Sequence, residues 1–349
     1  MKTYFILSGE HKTLPKAELY AILEAEKIKY VPLKSLDQVE IVKLLYPNGV
    51  NYLRKVIARA SMVREAGLLM GYFQIVSLKD LLYHIRNSLQ WDFLTNKTFA
   101  VRAKRVKEHF ANKLRSYIVE RSVGAEIIRQ NPKAKVNLEK PGYIVRVVLT
   151  ENSAIIGIKI AELDASQFTR RRPRSRPFFH PGVLSPKLSR LFVNLSRPRK
   201  GDVFLDPFCG IGGFAIEACL LGLRCLCSEL RWDLVRGAKI NLSFYNLDYE
   251  GIVQADATRM PWLRADAIAT DPPYGRSTTT LGRSVLSIVK DFLEEACSML
   301  KKGGYVVYAI PHTIDPYETL PSSELDLVEL HKMRVHKSLT RIIIVALRK

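Results

Sequence analysis

From Gly201 onward, short apolar runs alternate with segments of helical period, and an acid closes each of the first four runs. Residues 203–206, 224–229, 252–256 and 267–271 read as strands, and so does 305–310. Residues 214–221, 232–245 and 284–300 read as helices. Strands that alternate with helices build βαβ units and a parallel sheet. The predicted fold is therefore doubly wound α/β, which binds ligands beyond the carboxyl ends of its strands. One acid at such an end arises easily by chance. Four in succession do not, so Asp206, Glu229, Asp256 and Asp271 are expected to line one crevice. The end of the chain differs: 325–335 and 341–347 read as an antiparallel pair.

The first acid opens the run DPFCGIGG, residues 206–213, between a strand and a helix. Gly210, Gly212 and Gly213 let the backbone approach a ligand with no Cβ in the way. Glu229 stands 23 residues beyond Asp206, near the ~20-residue spacing of a carboxylate that binds ribose hydroxyls. No Lys followed by Ser or Thr comes after the glycines, which argues against a nucleoside triphosphate.

The fourth acid opens DPPYG, residues 271–275. Two prolines stiffen this corner, and Tyr274 offers a flat ring for a base to stack on. The Asp271 carboxylate and the Pro272 carbonyl are both acceptors. A nucleobase amine is a poor nucleophile because its lone pair is delocalised into the ring. Two acceptors holding its N–H groups would draw the nitrogen toward tetrahedral geometry, and Asp271 could take the released proton.

The net charge is +20, yet residues 201–349 hold 17 Lys and Arg against 18 Asp and Glu, so the whole excess lies in residues 1–200. A basic module joined to a near-neutral one separates the holding of a polyanion from chemistry. The basic part mixes helices with strands, among them 98–106, 143–149 and 154–160, and reads as α+β. Ser77 and Asp80 mark a capped helix start. Lys104, Arg105, Lys107 and Lys113 are candidate phosphate contacts. Residues 166–177 hold five arginines and two prolines, which predicts an extended linker whose Arg171, Arg172 and Arg174 could fork onto phosphates.

Cys209, Cys219, Cys225, Cys227 and Cys297 form no CxxC pair and lie beside no histidine cluster, so free thiols and no metal are expected. No apolar run reaches the roughly 18 residues that span a bilayer, and a soluble, cytoplasmic, monomeric protein is the expectation.

LDPFCGIGG followed by ATDPPYG resembles the amino-methyltransferases of the Rossmann-like S-adenosylmethionine class. TFAVRAKR (98–105) and VNLEKPGYIVRVVLTENSAIIGIKI (136–160) look like a THUMP domain, an RNA-binding module. RPFFHPGVLSPKLSRLFVNL (176–195) is similar to the segment before the catalytic core of the archaeal tRNA (guanine-10, N2)-dimethyltransferases. The resemblance covers nearly the whole chain. It implies a ferredoxin-like part over 1–50, THUMP over 51–165, a basic linker over 166–182, and over 183–349 a class I methyltransferase domain with a mostly parallel seven-stranded sheet. It also implies S-adenosylmethionine as donor, held by Asp206, Phe208, Gly210, Gly212 and Glu229, with its adenine near Asp256 and Ala257. The target guanine of a tRNA would lie beside Asp271, Pro272 and Tyr274. Two readings stand beside this one: the same chemistry on another tRNA position, ribosomal RNA or DNA adenine, and an RNA-binding protein without catalysis.

Overall fold

The computed structural model describes residues 1–47, 49–106, 114–274, 282–321, 323–336 and 339–349. In chain order the elements are β1 (Lys2–Leu7), α1 (Leu14–Ala25), β2 (Tyr30–Leu36), β3 (Val39–Leu44), α2 (Val50–Arg59), β4 (Val63–Gln74), α3 (Leu78–Ser88), β5 (Thr98–Arg105), α4 (Ser116–Gln130), β6 (Lys135–Val136), β7 (Tyr143–Thr150) and β8 (Ser153–Glu162). There follow α5 (Ser166–Arg170), α6 (Pro186–Leu195), β9 (Val203–Asp206), α7 (Gly213–Cys219), β10 (Arg224–Glu229), α8 (Trp232–Phe244), β11 (Gly251–Gln254) and β12 (Ala265–Ala269). The last are α9 (Val285–Met299), β13 (Leu300–Pro311), α10 (Pro316–Thr319), β14 (Leu325–His336) and β15 (Leu339–Arg348). They fall into two compact units, one of residues 1–10, 28–58 and 63–163, the other of residues 11–27, 59–62 and 164–349. Among the described residues no helix is long and apolar enough to cross a membrane.

The first unit is built on an eight-stranded sheet of order β2-β3-β1-β4-β8-β7-β5-β6. Strands β1 to β4 pair antiparallel in the order β2-β3-β1-β4. β5 pairs in parallel with β6 and β7. Helix α3 starts where the sequence expects: Ser77 Oγ accepts the Asp80 amide at 3.1 Å, and Asp80 Oδ2 accepts the Val76 amide at 3.1 Å. Leu81 and Ile85 of α3 and Val119, Val123 and Ile127 of α4 form one core with Phe99, Val101, Val145, Val147 and Ile156 of the sheet. Arg102 and Arg146 are register partners on β5 and β7, and Lys104, two positions on from Arg102, shares their face. Burial holds the Lys104 ammonium below its usual pKa, with the Arg64 and Arg146 charges adding to this and Glu65 and Glu162 opposing it. Arg105 is exposed, while Lys107 and Lys113 lie outside the described residues.

The second unit carries a seven-stranded sheet of order β11-β10-β9-β12-β13-β15-β14. β9 to β13 are parallel, and β15 runs antiparallel between β13 and β14. Sequence neighbours point to opposite layers. Phe204, Ala267, Val307 and Ile343 join Leu191 and Phe192 of α6, whereas Leu205, Ile268, Val306 and Ile344 join Val289, Phe292 and Leu293 of α9. Covered on both faces, these strands carry apolar residues at consecutive positions, as in Val203–Leu205, Ala267–Ala269 and Ile342–Ala346, rather than at alternate ones. Strand order reverses between β9 and β12, and a ligand crevice is expected there.

The expected extended linker is replaced by α5 and a turn of 3-10 helix over Pro173–Ser175. No proline interrupts Ser166–Arg170, so a helical turn can form. Asp164 accepts the Ser166 amide at 2.9 Å and the Arg170 guanidinium at 3.2 Å, and Phe168 is buried. Arg171 is withdrawn from the candidate phosphate contacts: its Nε and Nη2 donate to Glu217 at 2.8 and 3.0 Å. Glu217 is fully buried and also pairs with Arg190 at 2.9 Å. A buried carboxylate needs such partners, and the fork of Arg171 supplies two of them. Arg172 and Arg174 remain exposed.

Candidate active site

Asp206 is the last residue of β9 and Glu229 the last of β10, while Asp256 and Asp271 stand two residues past the ends of β11 and β12. Because the sheet runs β11-β10-β9-β12, the four acids end four adjacent strands. β11 and β12 stop two residues short of their acids for a local reason. Asp256 Oδ1 accepts the Thr258 amide and hydroxyl at 2.9 and 3.0 Å, which turns the chain, and Pro272 and Pro273 end the ladder after Asp271.

The glycine turn is fixed from below. Gly210 and Gly212 have φ of 51° and 81°, in the left-handed region that favours glycine. Glu229 Oε2 accepts the Gly210 amide at 2.9 Å, and Glu229 Oε1 accepts the Arg231 amide at 3.0 Å. A Cβ built on Gly210 would meet nothing within 4 Å, so the turn presents bare backbone to open space. Phe208 packs edge-on against Phe292 at 5.4 Å, and Ala257 is buried after β11.

Asp206 is wholly buried. Its Oδ1 accepts the Thr270 hydroxyl at 2.7 Å and the Phe208 amide at 3.3 Å. Its Oδ2 has no hydrogen-bond partner. Burial pushes this carboxyl up to about 8; the Thr270 and Phe208 bonds oppose the rise, and the Glu229 and Asp271 charges add to it. An orphaned acceptor on a carboxyl that resists ionisation suits a ligand that brings a cationic donor. With the bare turn at Gly210 and the carboxylate of Glu229, these residues fit a molecule with an ammonium group at one end and ribose hydroxyls further on.

The DPPY corner lies one hydrogen bond away, since Thr270 immediately precedes Asp271. Asp271 Oδ1 accepts the Tyr274 hydroxyl, and Oδ2 lies 3.4 Å from Arg341 Nη1. The Arg341 guanidinium also sits over the Tyr274 ring, 5.1 Å from its centre. Burial raises the Asp271 pKa, against the Arg341 charge and the Tyr274 bond. The Tyr274 hydroxyl is pushed up as well, by burial and then by the Asp271 charge. Pro272 is buried and Gly275 lies outside the described residues.

Residues 173–343 match the RMKL-like methyltransferase domain family, and residues 77–159 match the THUMP domain. The chain is 36% identical over 345 residues to a tRNA (guanine(10)-N2)-dimethyltransferase of Methanothermobacter thermautotrophicus, covering 98% of each. The chain belongs to the tRNA (guanine(10)-N2)-dimethyltransferase family. A second protein of that name, from Methanocaldococcus jannaschii, is 34% identical over 359 residues, covering 97% of each. The fold is shared with TrmN from Thermus thermophilus, at a TM-score of 0.57 and 21% identity over the full length of both chains. For this member of the dimethyltransferase family, the expected architecture holds: a THUMP domain followed by a class I methyltransferase domain.

Sequence reasoning missed two residues of this family member's crevice. Thr270 ties the two halves of the crevice together, and Arg341 faces Asp271. Thr270 could have been read as the polar residue that ends an otherwise apolar strand. Arg341 carries no such signal, because its place depends on the pairing of β15 with β13, where it lies opposite Pro311.

Proposed function

We propose that this chain transfers methyl groups from S-adenosylmethionine to N2 of a guanosine in tRNA, first one and then a second, at position 10. The observation that carries this reading is the 2.7 Å bond from Thr270 to Asp206, which joins the amine-gripping corner to the glycine turn. When bound, the donor supplies a methyl group on a cationic sulfonium. Asp206 would accept its ammonium and Glu229 its ribose hydroxyls, with Asp256 and Ala257 beside its adenine. Asp271 and the Pro272 carbonyl hold the two N–H groups of the guanine amine, and Asp271 takes the proton lost as the new N–C bond forms. Tyr274 stacks on the base.

The amine of a paired guanine is engaged in the helix, so the base has to leave the stack at a cost of a few kcal/mol. Phosphate contacts from the basic residues, with Lys104, Arg105, Arg172 and Arg174 as candidates, offset that cost. After the first transfer only one N–H remains for the two acceptors, so the second transfer is the slower.

The test is incubation with labelled donor and unmodified tRNA, then nuclease digestion and mass spectrometry. Label in N2-methylguanosine at position 10 is expected, followed by the dimethylated form. Label in adenosine, or at another guanosine, overturns the assignment. Asp271→Ala abolishes transfer while tRNA binding stays within a few-fold; retained activity would remove Asp271 from the reaction.

A further inference from the structure

Arg341 has no role in the scheme above, yet its setting is unusual. It is 6% exposed, and its Nε and Nη1 have no hydrogen-bond partner. A buried guanidinium with idle donors is costly unless a charge faces it. The charge that faces it is Asp271 Oδ2, at 3.4 Å. The other face of the cation rests on the Tyr274 ring. Arg341 therefore touches both residues that the proposed function places against the target base.

Both Asp271 oxygens are engaged, Oδ1 by the Tyr274 hydroxyl and Oδ2 by Arg341. For Oδ1 to accept an N–H of guanine, the Tyr274 hydroxyl has to yield its place. While that exchange occurs, the Arg341 charge on Oδ2 is the contact among the described residues that still holds the carboxylate. The acceptor has to be ionised as well, because a protonated Asp271 would present a donor to the amine. Among the described residues, the charged and titratable groups that bear on Asp271 are Tyr274 on its own corner, Arg341 from β15 and Asp206 from the end of β9. Of these, Arg341 alone is a cation.

We propose that Arg341 is the positioning residue of the transfer, holding Asp271 as an aimed carboxylate while its other oxygen passes from Tyr274 to the amine. This rests on the reading of Asp271 as the residue that grips the base. Arg341 acts through Asp271 and Tyr274. Burial raises the Asp271 pKa and the Arg341 charge opposes that rise, which gives the pH dependence its sign: without Arg341 the carboxylate forms only at higher pH.

The experiment is the single-turnover transfer rate against pH, with the full chain, saturating donor and an unmodified tRNA transcript. Arg341→Met should move the acid limb up by roughly one pH unit or more, so that transfer falls at least about tenfold more at the acid end than at the alkaline end. Arg341→Lys should bring most of the limb back, and the tRNA concentration for half-saturation should stay within about twofold. Arg341→Gln, polar and of similar reach, carries the same expectation if the methionine variant does not fold. In an Asp271→Asn background, adding Arg341→Met should change the residual rate by less than about twofold, because there is no carboxylate left to hold. An unmoved limb, or methionine and lysine variants equally slow at every pH, overturns the role of Arg341 alone. A wild-type chain that makes no N2-methylguanosine overturns the functional reading, and this role with it.

Discussion

Glu229 holds the Gly210 amide at 2.9 Å, so the carboxylate at the end of β10 and the glycine turn after β9 form one rigid piece. Its other oxygen holds the Arg231 amide. A glutamine at 229 keeps one carbonyl oxygen and replaces the second acceptor with an NH2 that opposes an amide N–H. Glu229→Gln is expected to weaken donor binding about tenfold or more, measured by calorimetry, with only a small change in melting temperature. Unchanged affinity would remove Glu229 from the donor site.

The two glycines of the turn separate stability from binding. Gly212 has φ of 81°, and a Cβ there would lie 3.1 Å from Leu242 Cδ1, against the buried side of α8. Gly212→Ala should cost about 1–2 kcal/mol of unfolding free energy. Gly210 has φ of 51° and open space around its Cβ position. Gly210→Ala should cost less in stability, and its added methyl should lower donor affinity by a larger factor than the stability loss explains. Denaturant melts beside donor titrations of both variants check this; equal effects on both readouts would refute it.

Burial of Asp206 is expected to make the methyltransferase domain lose stability as pH rises toward about 8. The folded pKa of this carboxyl is raised to about 8 by burial, above the value near 4 of an unfolded aspartate. Between those values the folded state holds a proton that the unfolded state has lost. Stability that depends on this group is full below the unfolded pKa and falls as pH rises toward about 8, by up to about 1.4 kcal/mol per pH unit. Asp206→Asn should flatten that slope. In the wild type, donor binding near pH 7 should release a proton as the ligand ammonium meets Asp206, visible as a binding enthalpy that varies with buffer ionisation enthalpy. A buffer-independent enthalpy would contradict it.

Arg171 differs from Arg172 and Arg174 although the three are neighbours in sequence. Arg171 is held by the buried Glu217, whereas the other two are exposed. Arg172→Gln and Arg174→Gln should each lower the slope of log affinity for tRNA against log salt by about one. Arg171→Gln should leave that slope in place and destabilise the fold by about 1–3 kcal/mol, because a buried carboxylate loses two donors. Salt titrations and thermal melts of the three variants separate the two roles.

What the sequence determined by itself is what local chemistry encodes. The alternation of β9 through α9, the capped start of α3 at Ser77 and the acids closing β9 and β10 are each specified within one or two turns of chain. The glycine turn and the DPPY corner are legible for the same reason, since each is a backbone demand met by the residues that make it. Tertiary structure alone decided which distant groups meet. Thr270 reaches Asp206 across 64 residues and Arg171 reaches Glu217 across 46, and neither pair has a spacing rule. Arg341 reaches Asp271 only because β15 pairs antiparallel with β13 in a register that sets Arg341 opposite Pro311. A slip of one residue there would turn Arg341 to the opposite face, and that register is held by the packing of Ile342 to Val345 on both sides of the sheet rather than by any motif.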